Sequence, residues 1–345
     1  MSAPLPFALA VAFAVSLVVT RVAEVVGRRR SLLDIPNERS SHAVPTPRIG
    51  GLGIIAGTIA GWLIATGTPD PTLVVIVAAS LLLAVVGLVD DVRVTSVLFK
   101  YSGQLIAAAV VAIAIRPTLD LSILGLDLVI DGPAALLIVT IWLTALTNAV
   151  NFMDGIDGLI GGVAAMVCLL ATAVVAAGTV PLVACVAVAC LGFLVWNQAP
   201  ASVFMGDVGS QFLGLVIGAA LLLQPTGTTA VAPVVLLVAP LLLDTGYTLI
   251  ARAIAGKDIL AGHREHLYQR LVVAGRSHRE VAAGYIVATA VTGSLAIAWA
   301  DLSPVLQALA IAALVAGFVA EVAFVRRAEA SAGVGRDSVE PAAPV

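Results

Sequence analysis

Long apolar runs separated by short turn-like segments dominate the chain. Runs of about 18 or more apolar residues predict transmembrane helices, because about 20 helical residues are needed to cross the hydrocarbon core of a membrane. The runs are interrupted by TGTPDPT, AAGTVP, QPTGTT and ADLSP, which are rich in turn formers. The pattern predicts eleven spans, at residues 4–26, 49–67, 71–89, 99–115, 133–150, 157–177, 179–196, 208–224, 229–252, 280–299 and 304–325.

The segment between the fourth and fifth spans follows a different pattern. In RPTLDLSILGLDLVIDG, residues 116–132, apolar and polar side chains alternate, which predicts a short outer β-hairpin. The expected fold class is an all-α polytopic membrane protein with a cleft on its cytosolic face. Residues 1–327 are predicted to form one integral-membrane domain, and residues 328–345 a disordered cytosolic tail.

Composition excludes a soluble fold. Hydrophobic residues make up 60% of the 345 residues and charged residues 11%, whereas soluble domains carry about 25% charged residues. The three cysteines, Cys168, Cys185 and Cys190, lie inside apolar runs without paired loop spacing. They are therefore interpreted as packing residues and not as disulfides or metal ligands.

Basic residues predict the orientation. Every Lys and Arg except Arg21, within the first span, and Arg116 lies in or at the edge of one alternate set of loops, or in the C-terminal tail. Because basic loops stay in the cytosol, the N-terminus is expected outside and the C-terminus inside.

Two predicted cytosolic segments in the first half of the chain carry candidate site residues. The motif PTPRIGG, which contains Arg48, predicts a rigid turn and a Gly-rich helix start whose backbone can approach a phosphate. Asp90 and Asp91 are adjacent where the third span ends. Adjacent carboxylates repel unless a cation or a shared proton offsets them, although a solvated helix end is the alternative interpretation.

The stretch NAVNFMDGIDGLIGG, residues 148–162, places four polar groups between apolar runs. Asn148, Asn151, Asp154 and Asp157 follow one another at intervals of three. Residues three apart form an inclined ridge on a helix, so the set is expected to line one side of a cleft. Its glycines are expected to break the helix, and no 12-residue loop of an EF-hand follows.

Two further segments complete the polar face. Asp207 lies in FMGDVGS, just before an apolar run, which indicates either a metal-bound carboxylate facing a phosphate at a helix start or an ordinary N-cap. His263, Arg264 and His266 are interpreted as pyrophosphate ligands, since no third zinc ligand is near. His278 is interpreted as part of a solvated surface. The inventory fits Mg²⁺-assisted chemistry on phosphates.

With these motifs in order, the chain resembles the polyprenyl-phosphate N-acetylhexosamine-1-phosphate transferases, which are related to phospho-N-acetylmuramoyl-pentapeptide transferase. The resemblance runs from DIPNERSSHAVPTPRIGG through DD, NAVNFMDGIDGL and FMGDVGS to HREHLYQRL. It implies a phosphoglycosyl transferase: a polyprenyl phosphate (undecaprenyl or decaprenyl) attacks the sugar-bearing phosphate of a UDP-N-acetylhexosamine and UMP leaves. GlcNAc is the expected sugar.

The resemblance also assigns roles. It implies Mg²⁺, with Mn²⁺ as a substitute, at Asp207 and Asn151, and a catalytic role for Asp90 and Asp91 in handling the lipid phosphate. Substrate binding is assigned to Asn148, Asp154, Asp157, Asn197, Phe204, His263, Arg264, His266, Arg48 and Lys100.

The chain departs from the family pattern at two places. Ile49 replaces the usual Gly after TPR, which weakens the phosphate argument there, and HREH replaces the run of histidines of the muramoyl-pentapeptide branch. The implied partners are the nucleotide sugar, polyprenyl phosphate and lipid of a bacterial plasma membrane, without nucleic acid. A homodimer is left open. The alternatives are the muramoyl-pentapeptide activity, a cation-coupled transporter with intramembrane carboxylates, and a structural membrane anchor.

Overall fold

Helices account for most of the described chain. The computed structural model describes residues 4–36, 44–93, 95–259 and 262–333. The helices are α1 (Leu5–Arg29), α2 (Gly51–Thr66), α3 (Pro71–Val92), α4 (Val97–Ile115), α5 (Gly132–Met153), α6 (Leu159–Ala171), α7 (Val180–Asn197), α8 (Gly206–Ala220), α9 (Val231–Leu237), α10 (Ala239–Ile254), α11 (Leu267–Val273), α12 (His278–Ala298) and α13 (Pro304–Ser331). The predicted all-α multi-pass class is confirmed.

The predicted count of eleven spans is not confirmed. Within the described ranges, seven helices are long and apolar enough to cross a membrane, or eight if α9 and α10 form one bent span. The predicted spans at 49–67, 157–177 and 208–224 correspond to α2, α6 and α8, which have 16, 13 and 15 residues. At 1.5 Å per residue, helices of this length fall short of a hydrocarbon core about 30 Å thick.

The short helix α8 lies in the interior of the bundle. Every residue from Val208 to Ala220 is buried, and α8 packs against α3 and α5. A helix that other helices surround does not have to reach both membrane surfaces, because protein groups satisfy its ends. The peripheral helix α13 shows the opposite pattern: Val325 is its single buried residue among those described.

The predicted span 229–252 is broken into two helices. α9 and α10 meet at an angle of 80° after Leu237. Pro240 is the second residue of α10. A proline lacks the backbone N–H that would continue α9 and disfavours helical backbone in the residue before it, so the bend follows from the sequence AP.

Short strands lie at both ends of the bundle. β1 (Leu33–Asp34) pairs antiparallel with β2 (Thr46–Pro47). The predicted hairpin is confirmed by antiparallel β3 (Leu119–Asp120) and β4 (Val129–Ile130). A third strand, β5 (Thr229–Ala230), joins β3 in parallel. The sequence did not indicate this strand, because a parallel partner more than a hundred residues away leaves no local signal.

The remaining expectations concern the cysteines and the tail. Cys168, Cys185 and Cys190 are free and buried, as predicted. α13 continues to Ser331, past the predicted boundary at residue 327, and residues 334–345 lie outside the described part.

One close approach fixes the position of α3 against the start of α8. A Cβ atom on Gly87 would lie 2.4 Å from the backbone oxygen of Asp207. Only glycine permits this spacing. The last turn of α3, with Asp90 and Asp91, is therefore held beside Asp207.

Candidate active site

Four helix ends meet around Asp207. α3 ends with Asp90 and Asp91, α4 carries Lys100 in its first turn, α5 carries Asn151 in its last turn, and α8 begins next to Asp207. Because successive helices alternate in direction, the end of α3 and the start of α4 lie on one face with the end of α5 and the start of α8. The structure thus brings together the predicted metal and catalytic residues.

Asp207 is shared between a lysine and an amide. Lys100 Nζ forms an ion pair with Asp207 Oδ2 and lies 3.1 Å from Asp90 Oδ2. Asn151 Nδ2 donates to Asp207 Oδ1 and to Ser210 Oγ, each at 2.9 Å. The Asp207 side chain is 22% exposed, so a ligand can reach it from the mouth of the bundle.

Asp91 caps the start of α8 from a neighbouring helix. Its Oδ1 accepts a hydrogen bond from the backbone N–H of Asp207 at 3.2 Å, and its Oδ2 one from Val208 at 3.0 Å. A carboxylate is favoured there because the first N–H groups of a helix lack helical partners and carry positive potential. The first N–H groups of α8 are therefore bonded to Asp91, and the alternative interpretation of Asp207 as an ordinary N-cap is wrong, because Met205 is the N-cap.

Asp90 points elsewhere. It accepts hydrogen bonds from the backbone N–H of Thr95 at 2.8 Å and from Thr95 Oγ1 at 2.5 Å, in addition to its contact with Lys100. Its side chain is 19% exposed, whereas Asp91 is 5% exposed. Of the two adjacent carboxylates, Asp90 is the one open to a substrate. The solvated helix end, the alternative interpretation of the pair, does not describe the buried Asp91.

The PTPRIGG segment is bonded to the FMG segment. The backbone N–H groups of Gly50 and Gly51 donate to the carbonyl oxygens of Phe204 and Met205, both at 2.9 Å, and Phe204 N–H donates to Pro47 O at 2.7 Å. The expectation that the backbone here approaches a phosphate is wrong, because these donors already have protein partners. The Phe204 side chain is partly exposed.

Arg48, in the same PTPRIGG segment, reaches the carboxylates of the site. Its Nη2 donates to the backbone oxygen of Asp91 at 2.6 Å, while its buried Nε has no hydrogen-bond partner. The neighbouring Ile49 is 4% exposed and packs into the interior. The departure from the usual Gly therefore serves packing, and Arg48 adds positive charge beside the carboxylates.

Gly206 sets the geometry just before Asp207. Its φ is +72°, and a Cβ atom would lie 1.9 Å from the backbone oxygen of Arg48. We expect Gly206→Ala to destabilise the protein by at least about 1 kcal/mol, because both the conformation and the contact are unfavourable for alanine. The midpoint of thermal unfolding in detergent measures the effect. Gly178→Ala is the matched control, since Gly178 has no atom within 4 Å of a Cβ and no positive φ. Equal midpoints for the two variants would contradict the prediction.

The four polar residues at intervals of three do not share one wall. α5 ends at Met153, Asp154 is its C-cap, and Gly158, with φ +78°, is the N-cap of α6. The predicted break at the glycines is confirmed. Two of the four residues are helical and two lie in the turn, so each meets different neighbours.

Asn148 belongs to a series of hydrogen-bonded polar side chains inside the bundle. Its Nδ2 donates to Gln104 Oε1 at 2.7 Å and to Thr144 O at 2.8 Å, and Gln104 Nε2 donates to Gln211 Oε1 at 3.1 Å. Gln104 and Gln211 are each 2% exposed or less. This series lies one turn below Asn151 on α5, away from the mouth, and links α4, α5 and α8.

Asp154 is the member of the set with the most unusual electrostatics. Burial, with the added repulsion of the Asp207, Asp91 and Asp157 carboxylates, raises the pKa of Asp154 to about 8. The raised pKa reflects several carboxylates held close together in a buried site, which is the condition under which a bound cation stabilises neighbouring carboxylates.

Asp157 and Asn197 hold the loop that follows α7. Asp157 Oδ2 accepts from the Ala201 N–H at 3.0 Å and lies 3.3 Å from His278 Nδ1. Asn197 Oδ1 accepts from the Gly158 N–H at 3.0 Å, and its Nδ2 donates to a carbonyl oxygen of the same loop. The prediction of His278 as a solvated surface residue is wrong, because its side chain is 16% exposed and paired.

The HREH segment packs beside the turn after α5. The ring of His266 lies 6.0 Å from that of Phe152 and 4.9 Å from that of His263, and Arg264 is partly buried between the two histidines in sequence. Burial and the neighbouring His266 and Arg252 lower the pKa of His263 to about 3. His263 is therefore neutral at neutral pH and contributes hydrogen-bonding groups instead of positive charge to this segment.

Several residues of the site region were not predicted. They are Thr95, Gln104, Ser210, Gln211, Arg252 and Tyr268. Arg252 forms an ion pair with Glu265 and donates to Asp258 O at 2.6 Å, which attaches both residues to α10. Polar residues inside apolar runs, such as Gln104 and Gln211, are the signal that could have found this group.

The donor set at Asp207 suits a hard cation. It consists of a carboxylate and an amide 2.9 Å apart, with Lys100 as the counter-charge. Within the described residues, no group of three His, Cys, Asp or Glu side chains could hold a metal by itself. Mg²⁺ fits such a sparse set, because it is usually held by one or two protein oxygens together with waters and substrate phosphates.

Comparison with known proteins identifies the family. Residues 73–224 match the model of glycosyl transferase family 4. The chain is 32% identical over 300 residues to decaprenyl-phosphate N-acetylglucosaminephosphotransferase of Mycolicibacterium smegmatis. The aligned region covers 74% of this chain and 72% of the relative. The chain belongs to glycosyl transferase family 4. The family predicted from the sequence motifs is thereby confirmed, and the protein is a phosphoglycosyl transferase.

Other relatives in glycosyl transferase family 4 differ in their named substrates. The chain is 29% identical to the "Probable undecaprenyl-phosphate N-acetylglucosaminyl 1-phosphate transferase" of Bacillus subtilis, over 79% of each chain. It is 31% identical to the phospho-N-acetylmuramoyl-pentapeptide-transferase of Mycobacteroides abscessus, over 61% of this chain and 72% of the relative. The family region contains Asp90, Lys100, Asn151 and Asp207 but ends before HREH.

Proposed function

We propose that this protein transfers N-acetylglucosamine 1-phosphate from UDP-GlcNAc to a polyprenyl phosphate. The observation that carries the proposal is Asp207, shared by Lys100 and Asn151 at one end of an apolar bundle. This arrangement offers cation ligands and a positive charge where a membrane-bound phosphate and a water-soluble nucleotide can meet. The names of the Mycolicibacterium and Bacillus relatives support GlcNAc and a polyprenyl acceptor.

The reaction exchanges one phosphorus–oxygen bond for another. An oxygen of the lipid phosphate bonds to the sugar-bearing phosphorus, and the bond from that phosphorus to the bridging oxygen breaks. UMP leaves with the bridging oxygen, and the polyprenyl-diphosphate sugar remains in the membrane. Catalysis of such a transfer consists mainly of positioning and of offsetting charge on the phosphate oxygens.

Asp207 and Asn151 are the residues that would hold Mg²⁺, for which Mn²⁺ is a substitute. When bound there, the cation offsets charge on the diphosphate. The Asn151 amide now presents Nδ2 to Asp207, and rotation of the amide by a half turn presents its oxygen instead.

The side chains around Asp207 have separate proposed roles in substrate binding. Lys100 and Arg48 supply positive charge at the mouth. Asp90, the more exposed acid of the pair, would face the lipid phosphate. His263, Arg264 and His266 would bind the sugar diphosphate, and Asp154 the nucleotide. Asp157, Asn197 and Phe204 support the nucleotide side by holding the surrounding loops.

The orientation of the site follows from charge. We infer that the face with Asp207 is cytosolic and the N-terminus outside, in a bacterial plasma membrane, because basic residues flank the helix ends at this face. UDP-sugars are made in the cytosol, which agrees with that orientation. The homodimer that the sequence leaves open stays a prediction.

A panel of nucleotide sugars tests the function. Purified protein in detergent is expected to release UMP from UDP-GlcNAc only when both polyprenyl phosphate and Mg²⁺ are present. UDP-GalNAc, UDP-6-deoxyhexosamines and UDP-MurNAc-pentapeptide are offered in parallel, with chromatographic detection of UMP. Omission of the lipid and addition of EDTA are the controls.

The same panel separates the alternatives. UMP release from the pentapeptide donor instead of UDP-GlcNAc would assign the muramoyl-pentapeptide activity. Solute movement in proteoliposomes without UMP release from any donor would indicate the transporter and overturn the proposal.

A further inference from the structure

Asp244 is a buried carboxylate inside α10. It is 1% exposed and lies outside the Asp207 cluster. An isolated buried carboxylate is strongly unfavourable, so hydrogen-bond donors must surround its two oxygens.

The donors come from three helices. Asp244 Oδ1 accepts from the Leu267 N–H at 2.9 Å and from Thr248 Oγ1 at 3.2 Å. Asp244 Oδ2 accepts from the Tyr285 hydroxyl at 2.6 Å and from the Tyr268 N–H at 3.2 Å. One carboxylate thus ties α10 to the start of α11 and to α12.

Asp244 also contacts a histidine of the HREH segment. Its Oδ1 lies 3.3 Å from His266 Nδ1. Because a carboxylate oxygen only accepts, this contact is a hydrogen bond in the tautomer that carries the hydrogen on Nδ1, which leaves Nε2 as the acceptor nitrogen of the ring. His266 is 2% exposed, so its ring cannot turn freely.

The same segment is attached to the turn that follows α5. The hydroxyl of Tyr268 donates to the backbone oxygen of Phe152 at 2.9 Å. A Cβ atom on Gly155 would lie 2.2 Å from that hydroxyl. Phe152 directly follows Asn151, so two hydrogen bonds through Tyr268, one at its N–H and one at its hydroxyl, connect Asp244 to the turn beside the predicted cation ligand.

We propose that Asp244 is a positioning residue of the transferase. It fixes the tautomer and orientation of His266 and holds residues 266–268 against the turn that carries Asn151 and Asp154. The kinetic part of this proposal rests on the proposed function, because His266 is there assigned to the sugar diphosphate.

A double-mutant cycle measures whether Asp244 acts through His266. Asp244→Asn is expected to lower kcat/KM for UDP-GlcNAc by about 10- to 100-fold, the usual range for a carboxylate that orients a functional histidine. In a His266→Gln background the same change is expected to cost less than about twofold, since residues that act as a unit are not additive. The KM for polyprenyl phosphate is expected to stay unchanged in both backgrounds.

Thr245→Val is the matched control. Thr245 is the next residue of the same helix, is 5% exposed and donates within its own helix to Leu241 O. Its replacement by valine is expected to leave kcat/KM within about twofold of the wild type, because no atom of the Asp244 network is touched. Equal losses in Thr245→Val and Asp244→Asn would show a general packing effect and overturn the proposal.

Hydrogen exchange provides a readout that does not depend on activity. In the wild-type protein without substrates, the peptide covering residues 263–273 is expected to exchange slowly, since Asp244 holds its first amides before any ligand binds. Asp244→Asn is expected to speed exchange in that peptide. Rapid exchange in the wild type would overturn the proposal, even if the variant is not recovered folded.

The outcomes separate this proposal from the proposed function. Absence of UMP release by the wild type, with slow exchange in residues 263–273, would reject the function and leave the anchoring role intact. UMP release with full additivity of Asp244→Asn and His266→Gln would uphold the function and reject the positioning role.

Discussion

Asp207→Ala is expected to lower kcat by at least about 10³-fold, because removal of a single preorganised electrostatic group from an active site already costs about 10²- to 10³-fold. The protein is expected to stay folded. Asp91 binds the backbone N–H groups of Asp207 and Val208 and not the Asp207 side chain, so the cap of α8 remains. Lys100 keeps Asp90 as its partner.

Two companion variants sharpen the Asp207 experiment. Asp207→Asn keeps the volume and loses the charge, so we expect it to raise the Mg²⁺ concentration needed for half-maximal rate. Asp70→Ala removes an aspartate that caps α3 at its first turn, the end remote from Asp90. It is expected to reduce stability by about 1 kcal/mol and to leave turnover unchanged. Wild-type turnover in folded Asp207→Ala would remove Asp207 from the site.

Asp91→Asn and Asp90→Asn are expected to lose turnover far more than nucleotide affinity, for two different reasons. An asparagine at 91 can accept only one of the two backbone hydrogen bonds at 3.0 and 3.2 Å, and its amide opposes the other donor. We expect this variant to lose about 1–3 kcal/mol of stability, the cost of an unsatisfied buried group, and to need more Mg²⁺ because Asp207 is displaced.

Asp90→Asn is expected to unfold at nearly the wild-type temperature. Its amide oxygen can still accept from the Thr95 N–H, and Asp207 still pairs with Lys100. Turnover falls because the charge beside the lipid phosphate is gone. The measurements are kcat, the Kd for UDP-GlcNAc, the Mg²⁺ dependence and the midpoint of thermal unfolding.

Two results would contradict this division. Loss of UDP-GlcNAc binding with little change in turnover would remove both residues from the lipid-phosphate side. Identical stabilities and Mg²⁺ dependences for the two variants would show that the cap on α8 does not set the position of Asp207.

The membrane class and the membership of the site could be predicted because both depend on local patterns. An apolar run predicts a span without knowledge of its neighbours, and the break at Gly158 is visible in the sequence. The length of a span is less secure: α8 is apolar enough to be taken for a span, yet it is a buried helix of 15 residues. Hydropathy cannot distinguish lipid from protein as the apolar surroundings.

The sequence by itself determined that this is a polytopic membrane enzyme whose carboxylates, amides and basic residues gather on one face. Alternation of spans predicts loops on two sides, and the distribution of basic residues predicts which side is cytosolic. The motifs, read in order, also determined the family.

Only the tertiary structure decided what each of these residues does. Neighbours on a helix point about 100° apart, so Asp90 and Asp91 reach different elements although they are adjacent in sequence. Asp91 meets a helix start more than a hundred residues later, and Asp244 meets His266, Tyr268 and Tyr285 from two other helices. Such partners are fixed by the packing of helices against one another, and no local pattern encodes that packing.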